Sequence, residues 1–418
     1  MSEHRLHLRD PGTELDNNDF WWADHPSASF RTNLTVGLTE FPRGRRANRD
    51  FLRLAVLVFL VDRTRRRPRR WARELRLHVP VERVKPWADV APELERTLGF
   101  LTGDRWQLQF HRASRPDASP DVAPCPPAAE YMLLSGGADS LSGALLLADP
   151  HTTCFVSHSA MGQSAVVAVL AQLWDAKPMH FVRYVRRRSK TPAGKSFGDE
   201  RTSRSRSLLF FAMGLLAASA RRSRLLVPEN GFASLNPPMA PERSGSLSTR
   251  TTHPWYLFEL RRILAQVGAH AELTNPFQDN TKGELFAEVA RRYGADSASK
   301  LLSGSYSCSN GTVKFHAPQG VRHCGICYGC LIRRAAFAAS GVEDRTAYLA
   351  RVTDPVGSVN DWLTPKTRQD VTVAEYAVAR GSIDPADIIA TGLPPTSDVD
   401  AAIALAQRGL DELKLLFL

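Results

Sequence analysis

The chain has 418 residues, a formal net charge of +11 and a hydrophobic fraction of 43%. That apolar content excludes an intrinsically disordered chain and is enough for two or three packed domains. The apolar stretch Phe51–Val61 has an arginine inside it and falls well short of the ~20 residues of a membrane-spanning helix. With no recognisable signal peptide and no sign of an oxidising compartment, the sequence is expected to be soluble and cytoplasmic with reduced cysteines. Only nine of the 54 basic residues are lysine. The basic runs lie at Arg43–Arg49, Arg63–Arg73 and Arg183–Arg206. They are read as solvated surface, with nucleic acid as the alternative partner for the first two. The third, rich in Ser, Thr and Gly, is expected to be a mobile loop.

In chain order, Asn48–Arg63 predicts a helix that becomes apolar on all sides. Glu74–Val81 alternates like a strand, Asp89–Leu101 reads as a helix and Trp106–His111 as another strand. Pro116 to Pro127 is a proline-rich linker. Tyr131–Leu134 is a short apolar run typical of a buried parallel strand. After it come Ser135-Gly136-Gly137-Ala138-Asp139-Ser140 and a helical run to Leu147. Glycines here let backbone N–H groups approach an anion, and the helix N-terminus adds its positive dipole end. Ser135 and Ser140 can donate to phosphate oxygens. Asp139 is itself an anion, so its route to a phosphate is through Mg²⁺. No lysine follows the glycines, which excludes the Gly-Lys-Ser/Thr type of nucleotide loop.

Arg206 opens an apolar helix through Ala218, either as a phosphate or carboxylate partner or as a solvated helix-start residue. Leu225–Pro228 reads as a strand. Glu229 and Asn230 follow at its C-terminal end, where open α/β sheets bind ligands. They are candidates for a base or ribose contact, and an Asn-Gly turn is the plainer reading. Phe232 to Pro254 is a long hydroxyl-rich loop, and Thr249, Arg250 and His253 are its candidate substrate contacts. Thr281-x-x-Glu284 has capping-box spacing at the start of a helix, with Lys282 available to stabilise phosphate charge. Asp398–Leu416 carries apolar residues at helical spacing.

Four of the six cysteines, Cys308, Cys324, Cys327 and Cys330, fall within 23 residues. Four thiolates complete a closed tetrahedral zinc shell, so the expected role is structural. An iron–sulfur cluster has the same ligand chemistry. Cys125 and Cys154 read as lone thiols.

The segment Ser135–Ser140 resembles the signature of the PP-loop ATP pyrophosphatases. The zinc-spaced segment narrows the resemblance. Ser305-Tyr306-Ser307-Cys308, then His323-Cys324-Gly325-Ile326-Cys327-Tyr328-Gly329-Cys330, then Arg333 and Ala336-Phe337, are similar to the zinc segment of QueC, the 7-cyano-7-deazaguanine synthases. The resemblance covers about Tyr131 to Ser340. It implies an α/β fold with a PP-loop parallel sheet flanked by helices on both faces and a Cys₄ zinc segment. The expected organisation is an N-terminal α/β extension at 1–125, a PP-loop domain at 126–305, a zinc segment at 306–340 and a helical C-terminal extension at 341–418.

The resemblance also implies an activity. ATP would adenylate the carboxylate of 7-carboxy-7-deazaguanine and release pyrophosphate, and an amine would then displace AMP. It implies ATP and Mg²⁺ at Ser135, Gly136, Gly137, Asp139 and Ser140, with Lys282 and Arg206 offsetting charge, and structural zinc at the cysteines. Two departures stand out: Ser157–Gln163 lacks the family's Arg-His pair, and the Phe232–Pro254 stretch replaces a short Asp-containing loop. Extended QueC-like proteins of bacterial anti-phage operons are the most similar branch. They imply a partner protein's amine as acceptor, where free-base synthases use ammonia. A homodimer or an operon complex is the expected assembly, and a nucleotide-sensing or DNA-binding module without turnover is the rival class.

Overall fold

The computed structural model describes residues 2–9, 18–25, 28–67, 72–114, 120–158, 163–190, 194, 196–200, 204–240, 250–309, 313, 319–350 and 365–417. Its centre is a five-stranded parallel sheet of β6 (Glu130–Leu133), β7 (Thr153–Ser157), β8 (Met179–Val182), β10 (Arg224–Leu226) and β11 (Leu273–Thr274). The spatial order is β11-β10-β6-β7-β8. The chain therefore builds outward from β6 in one direction, then crosses over and builds outward in the other. The crossover leaves a crevice between the C-terminal ends of β6 and β10, where doubly wound sheets hold ligands.

Helices α4 (Ala138–Leu147), α5 (Gln163–Trp174), α6 (Arg206–Ser219), α8 (Pro254–Gln266), α9 (Lys282–Tyr293) and α10 (Ala295–Ser303) accompany this sheet. A helical group follows: α11 (Tyr328–Ser340), α12 (Pro365–Arg380), α13 (Pro385–Ala390) and α14 (Val399–Lys414). Its buried cluster joins Leu331 and Ile332 of α11, Val373 of α12 and Leu410 and Leu413 of α14. Phe232, from the short helix α7 (Gly231–Leu235), belongs to the same cluster.

The N-terminal segment adds a second parallel sheet, in the order β2-β1-β4-β5, from β1 (Ser2–His7), β2 (Phe20–Trp21), β4 (Glu74–Val81) and β5 (Arg105–Arg112). Helix α1 (Arg46–Thr64) is buried at every position from Phe51 to Asp62, as expected of a helix apolar on all faces. It shares one core with α6 and the central sheet through Phe51, Leu54, Val58, Leu208, Phe211 and Leu215. Helices α2 (Val84–Asp89) and α3 (Ala91–Thr102) fill the place of the helix expected at Asp89–Leu101.

A polar lock accompanies that packing. The fully buried Asp62 of α1 accepts from Arg73 Nη2 at 2.6 Å and from Arg67 Nη2 at 2.9 Å. Its other oxygen accepts from Arg204 N at 2.9 Å, Ser205 N at 3.0 Å and Ser205 Oγ at 2.8 Å. The carboxylate satisfies N–H groups at the start of α6 that have no partner inside that helix. It thereby fixes the helix that leads into β10.

Two expectations are corrected. Part of the arginine-rich run expected to be mobile is a strand, β9 (Val185–Arg187), paired antiparallel with β3 (Phe30–Thr32). The Phe232–Pro254 stretch is not loop throughout: α7 occupies its start, α8 begins at Pro254, and 241–249 lie outside the described residues.

Candidate functional site

The strand–loop–helix at Ser135–Ser140 closes on itself. Ser140 Oγ donates to Gly137 O at 3.0 Å and lies 3.0 Å from Ser135 Oγ, while Gly137 N donates to Ser135 Oγ at 3.2 Å. Gly136 has φ +84°, in the left-handed region that favours glycine. The first turn of α4 then opens toward a cavity of about 220 Å³. Ser135, Gly137, Ala138 and Asp139 form one wall, and Glu229, Ala233, Thr251, Thr252, Lys282, Tyr306, Ser307, Tyr328, Gly329 and Ile332 the others.

Asp139 is the centre of the polar network. Lys282 Nζ donates to its Oδ2 at 2.8 Å, and Asn230 Nδ2 donates to both oxygens at 3.3 Å. Asp139 and Lys282 are each 7% exposed. The contact depends on how closely α4 approaches the end of β10. Gly143 lies one turn beyond Asp139, and a Cβ there would sit 2.5 Å from Pro228 Cγ. Without that side chain, the face of α4 shared by residues 139 and 143 can press against Pro228, just ahead of Glu229 and Asn230.

Asn230 is fully committed. Its Oδ1 caps α7 by accepting from Ala233 N at 2.8 Å, and its Nδ2 holds Asp139. Glu229 lines the cavity beside Asp139. Burial and the neighbouring Asp139 charge push its carboxyl well above the ordinary carboxylate range, with Lys282 acting in the opposite direction. Two carboxylates and the oxygens of a bound phosphate chain are the donor set that Mg²⁺ takes in phosphoryl sites. Asp139 offers such an oxygen, and Glu229, held protonated by burial and by Asp139, would join it on giving up its proton to the cation's charge.

Lys282 is the first residue of α9. Thr281 Oγ1 accepts from Glu284 N at 3.2 Å and Glu284 Oε2 accepts from Thr281 N at 2.9 Å, a complete capping box. The box fixes the helix start that aims Lys282 at Asp139.

The other candidates lie elsewhere. Arg206 does not line the cavity; its guanidinium carbon sits 5.3 Å from the Phe210 ring centroid. Arg250 packs over Phe100 of α3 at 4.2 Å and donates to Phe100 O at 3.4 Å. His253 caps α8, its Nδ1 accepting from Trp255 N at 3.2 Å. Burial and the Arg250 charge push its pKa down to about 3. Thr249 lies outside the described residues. Sequence reasoning missed Thr251 and Thr252, which reach the cavity from the same stretch, and Tyr306, Ser307 and Tyr328, which reach it from the cysteine segment. The signal for the last three was their placement beside the metal ligands.

The four cysteines converge, with all ligand atoms within 4.8 Å of one another and every residue buried. Cys308 Sγ to Cys327 Sγ and Cys324 Sγ to Cys330 Sγ are each 3.9 Å. A tetrahedron with ~2.3 Å metal–sulfur bonds has edges of about 3.8 Å, so the set fits zinc. Backbone N–H groups of Ser309, Cys324 and Cys327 point at Sγ atoms of the cluster at 3.2–3.4 Å. The cluster is tied to the phosphate loop through Tyr306 N, which donates to Gly136 O at 3.0 Å. Cys125 and Cys154 are free thiols outside the cluster, as expected, and lie near each other.

A glycine-serine loop at the switch point of a parallel sheet, in an α/β fold, faces a buried Lys–Asp pair, and a helix N-terminus so placed is able to hold an anion. No family model matches the chain. It is similar to 7-cyano-7-deazaguanine synthase 1 of Sphingopyxis alaskensis, 31% identical over 152 residues, which is 34% of this chain and 57% of that protein. The 7-cyano-7-deazaguanine synthase of Novosphingobium aromaticivorans is 31% identical over 147 residues, 34% of this chain and 54% of that protein. That of Methanocaldococcus jannaschii is 37% identical over 79 residues, 18% of this chain and 29% of that protein. The chain spans at most 57% of the length of these relatives. The similarities support a QueC-like relationship. Among the described residues no helix is long and apolar enough to cross a membrane.

Proposed function

We propose that the chain uses ATP to adenylate the carboxylate of 7-carboxy-7-deazaguanine. A carboxylate oxygen attacks the α-phosphorus, the α–β P–O bond breaks and pyrophosphate leaves. An amine nitrogen then attacks the acyl carbon, loses a proton and expels AMP. The observation that carries this reading is the Asp139–Lys282 pair facing the serine-glycine loop in one cavity. Ser135, Gly136, Gly137 and Ser140 cradle the departing phosphates. Mg²⁺ held by Asp139 and Glu229 supplies charge neutralisation when bound. Lys282, exchanging Asp139 for phosphate oxygens, offsets the charge that builds during adenylyl transfer. Asn230 holds Asp139 in place, and Arg206 has no part in this assignment. A cavity of about 220 Å³ is smaller than the ~300–1,000 Å³ of ordinary ligand pockets, so it accommodates the phosphate end of ATP rather than the whole nucleotide.

For the acceptor, the proposal is a partner protein's amine in an anti-phage assembly of the QatC kind. Support comes from the sequence resemblance and from Thr251 and Thr252, which bring the hydroxyl-rich stretch to the cavity wall. Any amine that enters while water is excluded can take ammonia's place on an acyl adenylate. The test combines pyrophosphate release with intact-mass analysis of the operon partner. A partner heavier by the acylated base, only with ATP and the base present, is the expected result. Free nitrile with an unmodified partner would mean a nitrile synthase that uses ammonia.

A further inference from the structure

Helix α9 begins Lys282-Gly283-Glu284, and glycine in a helix costs roughly 0.5–1 kcal/mol relative to alanine. The structure supplies the reason. The carboxylate of Glu412, from α14 near the other end of the chain, sits against that glycine. Gly283 N donates to both of its oxygens at 3.1 Å, and Thr281 Oγ1 donates to Oε1. A Cβ on Gly283 would overlap the same carboxylate. The capping box already satisfies Thr281 N and Glu284 N, so Glu412 accepts an orphan N–H that the box leaves over. A carboxylate is also the group that the positive end of α9 attracts. Arg408, one turn earlier on α14, pairs with Glu284 at 2.7 Å and donates to Asp279 O at 2.8 Å. The same helix presses on the opposite side of the site, where the Phe232 ring of α7 occupies the space a Cβ on Gly409 would need.

We propose that Glu412 is a positioning residue for Lys282. The C-terminal helix holds the first turn of α9, and through it the ammonium that faces Asp139. Glu412 touches neither substrate nor phosphate. Its carboxylate fills the anion-attracting end of α9, so the phosphates are bound at the start of α4 and reach α9 only through the Lys282 side chain. The kinetic part rests on the adenylation reading; the positioning itself does not.

The test uses the full chain as wild type, Glu412→Ala, Glu412→Gln, and Asp411→Ala as a control on the exposed face of α14. Acetic anhydride labelling of Lys282, mapped by mass spectrometry and scaled to the exposed Lys85, reads how firmly the ammonium is held. Glu412→Ala is expected to raise Lys282 labelling about tenfold. It is expected to lower kcat for pyrophosphate release roughly tenfold to a hundredfold, the scale of an ångström-level misplacement, with the KM for ATP within about threefold. Glu412→Gln, which still offers one acceptor oxygen, should fall between, and Asp411→Ala should match wild type. Formate added to Glu412→Ala should restore part of both readouts, which a merely structural role would not produce. Should Glu412→Ala fail to fold, Glu412→Gln decides. Unchanged Lys282 labelling in a folded Glu412 variant overturns the proposal. A wild type that releases no pyrophosphate defeats the adenylation reading instead, and the labelling result still judges Glu412.

Discussion

The two sides of the cavity are built in opposite ways. The turn of the phosphate loop is held locally: the bonds among its own residues span at most five positions, Ser135 to Ser140, although Tyr306 N also reaches Gly136 O from the cysteine segment. The facing wall is assembled from distant segments. Lys282 meets Asp139 across 143 residues, Asn230 meets it across 91, and Glu412 meets Gly283 across 129. The lesson is a division of labour. A local loop can be written into six residues between one strand and one helix. The wall exists only once the sheet, the cysteine segment and the C-terminal helices have all docked. That dependence makes the chemistry conditional on the complete fold.

The largest effect should come from breaking the contact between the two sides. Asp139→Asn removes the hydrogen-bonded counter-ion of Lys282 and leaves Glu229 as the neighbouring carboxyl, so the loss should approach but not exceed about 3–5 kcal/mol, the cost of a broken buried pair. Chemical denaturation should show that loss, and base-dependent pyrophosphate release should disappear. Ser140→Ala removes its hydrogen bonds to Ser135 and Gly137, worth ~1 kcal/mol each, so stability should fall by about 1–2 kcal/mol while the KM for ATP rises several-fold. Equal effects of the two substitutions would erase the distinction between loop and wall.

A smaller effect lies outside the cavity, where His253 caps α8. Its folded-state pKa of about 3 lies below the ordinary 6.5, so the fold favours the neutral imidazole. The stability linked to it is fully present above pH 6.5 and is lost as pH falls from there toward 3. His253→Asn keeps a capping side chain and removes the titration. Melting temperature should therefore fall less between pH 7 and pH 4 in the variant than in wild type.

The same division governs what the sequence makes legible. The strand at β6, the loop, α1, β4, β5 and the convergence of four cysteines all follow from periodicity or spacing within short windows. Helix α9 and its capping box are legible for the same reason. The five-residue α7, a short turn capped by its own neighbour Asn230, was hidden in a stretch that reads as loop. Strand β9 was hidden in a run of arginines because its partner β3 lies more than 150 residues away. Thr251 and Thr252 enter the cavity while Arg250 and His253, their immediate neighbours, turn to Phe100. No local pattern separates these four residues; the packing of α3 against α8 does. Gly283 is set by Glu412, 129 residues away, whose carboxylate occupies the space of a Cβ there.

The most direct test of the central claim is ATP–pyrophosphate exchange. Labelled pyrophosphate is incubated with the full chain, ATP, Mg²⁺ and 7-carboxy-7-deazaguanine, with acceptor amines omitted. Reversible adenylation predicts label entering ATP only when the base is present, and none with Asp139→Asn. Exchange that ignores the base, or no exchange alongside release of orthophosphate, would contradict a site that splits ATP between its α- and β-phosphates to activate this carboxylate.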